Sequence, residues 1–460
     1  MSLSPRLSQE LCYQYLDQKV FINGPVEECE EGGQALGWLG LEVESLPLRL
    51  SQDQTLVSAP LYGEASVLEA LQSFAQQEDQ WLSGPSVLPE DQKQAFVYCL
   101  NLAQGGNITF EPGAQVEFSS APARTLSSLI QRTEEVQQGL DKALGKAGIQ
   151  LKQWGINPYQ SVEEVGLHLR QGRYQAMDRF FKKLSPWGQR MMRLTCGVQV
   201  NLDFGCTQKE LPRRYLASQL LAPFATAIFA NAPFHAGSLV KEQSFRAKIW
   251  QGLDETRSGI DFFSLKKIAK DLKRETCIQT YLDFALRARV VYIKPCNFYV
   301  PDSDLSFSQW MEEGFLYQGA KVYPSLEDFM LHLSLLFPEV RPRGFLELRS
   351  MDSQDRLYQY VPLMFWTSLL YEPQALEKVL KLLLPELDHL EEYLNQAAFG
   401  LQETKLNKLS QALMQIALSA YPDLPKVYQD DSAYLIWKDF ANQYTFAGKV
   451  PAQDLRSLLS

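Results

Sequence analysis

The sequence predicts an α+β fold with one sheet at its centre, and three observations carry that expectation. Four stretches alternate polar and apolar residues: Glu42/Glu44 in Leu-Gly-Leu-Glu-Val-Glu, Gln115/Glu117 in Pro-Gly-Ala-Gln-Val-Glu-Phe, Gln199/Asn201/Asp203 in Val-Gln-Val-Asn-Leu-Asp, and Glu347/Arg349 in Phe-Leu-Glu-Leu-Arg. Strand side chains alternate faces with period two, so each stretch reads as a strand with a packed face and a face of acids and amides. The stretches run from Glu42 to Arg349, so the unit they share cannot be cut into independent pieces. Between and after them, apolar residues recur at helical spacing.

Element by element, Gln9 to Leu16 reads as a helix, followed by an acidic irregular segment from Glu27 to Glu31. The first strand runs from about Leu39 to Leu46, and a helix lies near Ala65 to Ala75 within a Gln- and Ser-rich region. Asn107–Phe110 and Gln115–Ser119 are strands joined through Glu-Pro-Gly, a turn signal. Leu126, Leu129, Ile130, Val136, Leu140 and Leu144 share one helix face that stops near Gly145 and Gly148. Residues 173–193 read as one helix leading into the strand Gly197–Phe204, and Leu216–Ala230 as an apolar helix ended by Asn231-Ala-Pro. Tyr292 to Pro324 is aromatic and irregular; then come a helix at Glu327–Leu336, a strand at Phe345–Arg349 and an apolar helix at Tyr360–Tyr371. From Gln374 the chain is almost wholly helical, with Leu376, Val379, Leu380, Leu383 and Leu387 as a core stripe. The expected organisation is a single domain over 1–460, with a sheet-bearing core over 36–372 and a helical extension over 373–460 packed on it.

The 460 residues, 45% hydrophobic and 21% charged, are ordinary for a globular chain. A net charge of −10 argues against nucleic acid or an anionic membrane as the main partner. Residues 1–20 lack the features of a signal peptide and no apolar run reaches spanning length, so a cytoplasmic protein, monomeric or homodimeric, is expected. The seven cysteines are scattered without a C-x-x-C pair, which fits reduced thiols. Four scattered histidines make a His-based metal site or triad a poor fit. Cys196 has no nearby histidine in sequence and reads as a buried thiol.

No G-x-x-x-x-G-K-[ST] and no strand-borne G-x-G-x-x-G is present, so a bound ATP would have its phosphates held by metal ions and arginines. Mg²⁺ takes oxygen ligands, and Glu42, Glu44, Glu111, Glu117 and Glu347, with the Gln199 amide oxygen, suffice for two or three such sites. One Glu-x-Glu alone reads equally as the solvated face of a strand. Four such strands without a lysine favour a cation-binding face. Arg349, two residues from Glu347, is placed either to hold a transferring phosphoryl group or to form an ion pair with Glu347. Arg173 and Arg246 are either exposed helix arginines or grips for a substrate carboxylate.

Several longer motifs resemble the glutamate–cysteine ligases of plants and proteobacteria. They are Ile108-Thr-Phe-Glu-Pro-Gly-Ala-Gln-Val-Glu-Phe-Ser-Ser-Ala-Pro122, Gly172-Arg-Tyr-Gln-Ala-Met, Met191-Met-Arg-Leu-Thr-Cys-Gly-Val-Gln-Val-Asn-Leu-Asp-Phe204, Pro223 to Phe234, Phe245-Arg-Ala-Lys-Ile-Trp250, Phe337-Pro-Glu-Val-Arg341 and Phe345-Leu-Glu-Leu-Arg349. The resemblance implies a glutamine-synthetase-like catalytic fold, a curved antiparallel sheet forming a funnel with helices outside. It implies ATP-dependent joining of the γ-carboxylate of glutamate to the amine of cysteine through γ-glutamyl phosphate, with ATP as co-substrate and two to three Mg²⁺ ions. By position, Glu42, Glu44, Glu111, Glu117, Gln199 and Glu347 match metal ligands and Arg349 the phosphate-binding arginine. Glu347 and Arg349 are the expected catalytic pair; Arg173, Arg246 and Trp250, with Gln115, are the expected substrate contacts. The chain departs from the plant pattern at Glu42-Val-Glu-Ser-Leu46, at Leu194, where plants carry arginine and Arg193 is one place earlier, and at Val291, where they carry a tyrosine. The alternatives are a family ligase using another amine, and a silent homologue that binds nucleotide or a partner.

Overall fold

The computed structural model describes residues 6–24, 37–77, 99–402 and 404–459. The acidic segment Glu27–Glu31 lies outside the described residues. Among the described residues the central sheet has nine strands: β1 (Leu39–Leu50), β2 (Leu56–Ser58), β3 (Leu100–Asn101), β4 (Asn107–Phe110), β5 (Val116–Ser119), β6 (Ile149–Lys152), β7 (Gly197–Leu202), β8 (Val340–Pro342) and β9 (Leu346–Asp352). Its main path runs β8-β9-β7-β1-β5-β4-β3, with every pairing antiparallel. The long strand β1 changes partners at Ser45: its first half pairs with β7 and β5, its second with β6 and β2.

All four polar stretches therefore lie in one sheet. Leu41 and Val43 of β1, Val198 and Val200 of β7, and Leu346 and Leu348 of β9 are buried on the apolar face. Slipping β1 by one residue would exchange these for Glu42 and Glu44, which fixes the register. Against this face lies the helix Glu210–Ile228, buried along nearly its whole length and fastened by Thr226 Oγ1 to the Ser350 carbonyl (3.3 Å) and Gln219 Nε2 to the Val340 carbonyl (3.4 Å). A helix apolar all round belongs inside, and this one is covered in turn by Val361–Tyr371, Pro373–Leu383, Leu390–Ala397 and Lys405–Ala420. In the stripe, Leu376, Val379, Leu380 and Leu383 are core, as their spacing predicts, while Leu387 is only partly buried against it. Among the described residues no helix is long and apolar enough to cross a membrane.

Two local expectations change. Residues 173–193 form two helices, Gly172–Leu184 and Pro186–Leu194. Ser185 turns extended and its side chain accepts from the Trp187 N–H, while Pro186 can only open a helix. The irregular Tyr292–Pro324 region contains the helix Phe307–Glu313, started by a Ser306/Gln309 capping box, and a hairpin pairing Phe315–Tyr317 with Ala320–Val322.

Candidate active site

On its polar face the sheet floors a cavity of about 460 Å³. Glu42 and Glu44 reach it from β1, Glu117 from β5 and Gln199 from β7. Glu111 and Gln115 come from the turn between β4 and β5. There Gly113 packs against the backbone of Arg193, so closely that a Cβ would stand 2.1 Å from the Arg193 carbonyl oxygen. The Gln115 side chain locks the turn, accepting from the Gly113 N–H (2.9 Å) and donating to the Thr195 carbonyl (3.0 Å).

The acids make one wall. Asn201 Nδ2 donates to Glu42 (2.8 Å), the Gly197 N–H to Glu44 (2.6 Å) and Thr109 Oγ1 to Glu117 (2.7 Å). Among the described residues none of Glu42, Glu44, Glu111 and Glu117 pairs with a lysine or arginine. Burial, and then repulsion from the neighbouring acids, pushes Glu117 well above the usual carboxylate range; the same causes raise Glu111 to about 7. Burial raises Glu44 as well.

The neighbouring β8–β9 side of the cavity is basic. The Glu347 carboxylate is fully buried and receives three guanidiniums: Arg341 through Nε and Nη2 (the latter at 3.0 Å), Arg343 through Nη1 (2.9 Å) and Arg349 through Nη1 (2.9 Å). Burial alone would raise this acid, but Arg341 and Arg349 outweigh it and hold Glu347 far below its ordinary value. Arg349 Nη1 also donates to Gln199 Oε1 (2.8 Å), joining the two walls. The Trp250 ring has guanidiniums of Arg246 (5.4 Å) and Arg349 (5.7 Å) over it. Arg246 is set by Asp352 (3.7 Å) and donates to the Arg349 carbonyl (3.0 Å). The Nε atoms of Arg173, Arg246 and Arg349 and Nε1 of Trp250 are buried donors without a partner. Orphan donors are rare in folded chains, and those of Arg173, Trp250 and Arg349, which line this cavity, suit an anion with several oxygens.

Of the residues singled out from sequence, Glu42, Glu44, Glu111, Gln115, Glu117, Arg173, Gln199, Trp250 and Arg349 line this cavity, and Arg246 lines a small cleft behind Trp250. Glu347 does not reach the cavity; both its oxygens are taken by arginines. Asp203 lies past the end of β7, where it accepts from the Trp38 N–H (2.7 Å). Arg193 pairs with Asp178, Tyr292 is buried among aromatics, and Cys196 is fully buried with its thiol pushed up by burial. Sequence reasoning passed over Arg341, Arg343, Tyr174 and Phe345, all of which line the cavity. For Arg341 the signal was in view, within the Phe337-Pro-Glu-Val-Arg motif.

The all-oxygen donor set of the acidic wall fits a hard divalent cation. Among the described residues no three acid, His or Cys side chains converge closely enough to hold an ion as they stand, so a cation would draw these carboxylates from their present donors.

The model of glutamate-cysteine ligase family 2 matches residues 38–408. The chain belongs to that family. Relatives within glutamate-cysteine ligase family 2 include the chloroplastic glutamate–cysteine ligase A of Oryza sativa subsp. japonica, 34% identical over 284 residues, or 61% of this chain and 55% of the rice protein. The chloroplastic enzyme of Arabidopsis thaliana is 32% identical over 284 residues, covering 62% of this chain and 52% of its own. The chain thus spans about half the length of the curated relatives it matches. These relatives are chloroplastic proteins, which overturns the cytoplasmic expectation: the missing leader features in residues 1–20 did not report the compartment. The fold is that of a crystallised glutamate–cysteine ligase from Francisella tularensis in complex with AMP, with a TM-score of 0.51 at 13% identity over 92% of this chain and 85% of that one.

Proposed function

We propose that this chain joins the γ-carboxylate of glutamate to the amine of cysteine at the expense of ATP, the first step in making glutathione or a related thiol. The observation that carries the reading is one cavity lined both by carboxylates that, among the described residues, pair with no lysine or arginine and by guanidiniums with unfilled donors. In the first half-reaction a glutamate γ-carboxylate oxygen attacks the γ-phosphorus of ATP, the bond to the bridging oxygen breaks, and ADP leaves. In the second, the amine attacks the acyl carbon of γ-glutamyl phosphate; a C–N bond forms, the C–O bond to phosphate breaks and the amine loses a proton.

Two anions must meet, so the chain's task is positioning and charge neutralisation. Arg349 holds the transferring phosphoryl group; Arg173, Arg246 and Trp250 hold glutamate through their open donors, with Gln115 keeping the turn beside them in place. Glu42, Glu44, Glu111 and Glu117, with the Gln199 amide oxygen, would hold two to three Mg²⁺ ions, and Glu347 anchors the arginines behind them. Bound there, Mg²⁺ neutralises phosphate charge. Residues 36–372 carry this chemistry, and 373–460 support it by covering the buried helix Glu210–Ile228. On this reading the protein works as a monomer or a homodimer on small-molecule substrates.

The test is ADP release by purified protein with Mg-ATP and glutamate, offering each amino acid as acceptor, with the product weighed by mass spectrometry. Cysteine-dependent release with a γ-glutamylcysteine mass is expected, and Arg349→Ala is expected to abolish it. Release with another amine alone would replace the acceptor; no release with any amine would overturn the reading.

A further inference from the structure

The turn Arg343-Gly344-Phe345 joins β8 to β9 at the rim of the cavity. Gly344 takes φ of +83° and its N–H donates to the Val20 carbonyl (2.8 Å), so the turn is pinned from below. Arg341 and Arg343, two residues apart, both reach Glu347 but differ in what they have left. Arg341 spends Nε and Nη2 on Glu347 and Nη1 on the carbonyls of Ser334 and Leu336 (3.3 Å each). Arg343 spends only Nη1, its side chain is 54% exposed, and its guanidinium lies 5.9 Å over the Phe345 ring. It is therefore a fixed guanidinium with a free edge toward the cavity, whereas Arg341 is a positioning residue.

We propose that Arg343 binds the diphosphate portion of the nucleotide, on the far side of the transferring phosphoryl group from glutamate. This rests on the ligase reading above. Phosphoryl transfer needs the attacking and leaving oxygens roughly in line across phosphorus. If Arg349 holds the phosphoryl group, Arg246 and Trp250 mark the attacking side, since both contact Arg349 there. The leaving diphosphate then lies on the other side, and β9 runs that way: from Arg349 to Glu347, about 7 Å along the strand, and on to the turn with Arg343. The planar fork of a guanidinium suits phosphate oxygens, and the shared Glu347 keeps its charge from repelling Arg349 out of place.

The experiment is equilibrium binding of Mg-ATP and of Mg-ADP to the full chain, as wild type, Arg343→Gln and Arg343→Lys, beside KM for ATP and for glutamate. Arg343→Gln is expected to weaken both nucleotides about tenfold or more, with Arg343→Lys between, and to leave the glutamate KM unchanged. Because the contact is with the diphosphate, ADP weakens as much as ATP. Unchanged nucleotide affinity in Arg343→Gln, or a shift in the glutamate KM instead, overturns the proposal and leaves the ligase reading standing. A wild type that binds no Mg-ATP and releases no ADP with any amine overturns the ligase reading, and the proposal with it.

Discussion

Glu44 and Glu117 stand directly opposite each other on neighbouring antiparallel strands, β1 and β5. Like charges at such a position repel, and among the described residues neither acid pairs with a lysine or arginine. Folding stability alone would not select this pair; on the reading proposed above, a bound divalent cation would offset the repulsion.

Replacing one of the pair should therefore help the empty protein and harm the loaded one. Glu117→Gln is expected to stabilise the metal-free chain by about 0.5 kcal/mol or more against denaturant. It should also reduce the gain in melting temperature on adding Mg²⁺. A destabilised metal-free variant, or an undiminished Mg²⁺ effect, would sink the assignment.

The acidic wall also sets a pH dependence. Glu111 titrates near 7 in the folded chain against 4.5 as its ordinary value, mainly through burial and then through Glu44. An acid raised on folding favours the protonated native state. Its stabilising effect is present below the ordinary value and is lost as pH rises from about 4.5 to 7 in the metal-free protein. A cation competes with that proton, so the rise in melting temperature caused by Mg²⁺ is expected to be small near pH 5.5 and to grow toward about pH 8. Equal effects at both ends of the range would contradict it.

Glu347→Gln removes the carboxylate shared by Arg341, Arg343 and Arg349. Breaking a buried charge cluster from one side costs about 3–5 kcal/mol, so this substitution should lower stability sharply as well as turnover. Urea unfolding checks it; a loss below about 1 kcal/mol would mean the arginines are held by other means.

Asp352 accepts from the Asn231 N–H (2.7 Å) and Ser244 Oγ (2.9 Å) and faces Arg246. Asp352→Asn keeps the hydrogen-bonding shape but removes the charge that seats Arg246. The expected result is a glutamate KM raised about tenfold, with ATP affinity little changed. An ATP effect of the same size would show a general collapse of the site instead.

The sheet was legible because period-two alternation marks strands without reference to their partners. Glu42, Glu117, Gln199 and Arg349 could be grouped before any pairing was known. What alternation cannot give is which groups a side chain ends up beside. Glu347 sits on the right strand, but its contacts come from Arg341 and Arg343 across a hairpin whose first strand, Val340–Pro342, is too short to show a period. The short strands Leu56–Ser58 and Leu100–Asn101 went unread for the same reason. The break at Ser185-Pro186 was written in local chemistry, a capping serine before a proline, and was missed because the apolar spacing on either side continues nearly in phase.

Both far segments of the chain brace the cavity. Val20, just after the helix Gln9–Tyr15, receives the N–H of Gly344 beneath the Arg343 turn. At the other end, Arg456 donates to the carbonyls of Val240 and Glu242, the loop that leads into the helix bearing Arg246 and Trp250. As the chain is made, the first brace exists long before the turn it supports, and the second only well after the helix it steadies. The Val20 brace can close as soon as the Arg343 turn is made, whereas the helix bearing Arg246 and Trp250 stays unclamped until Arg456 follows.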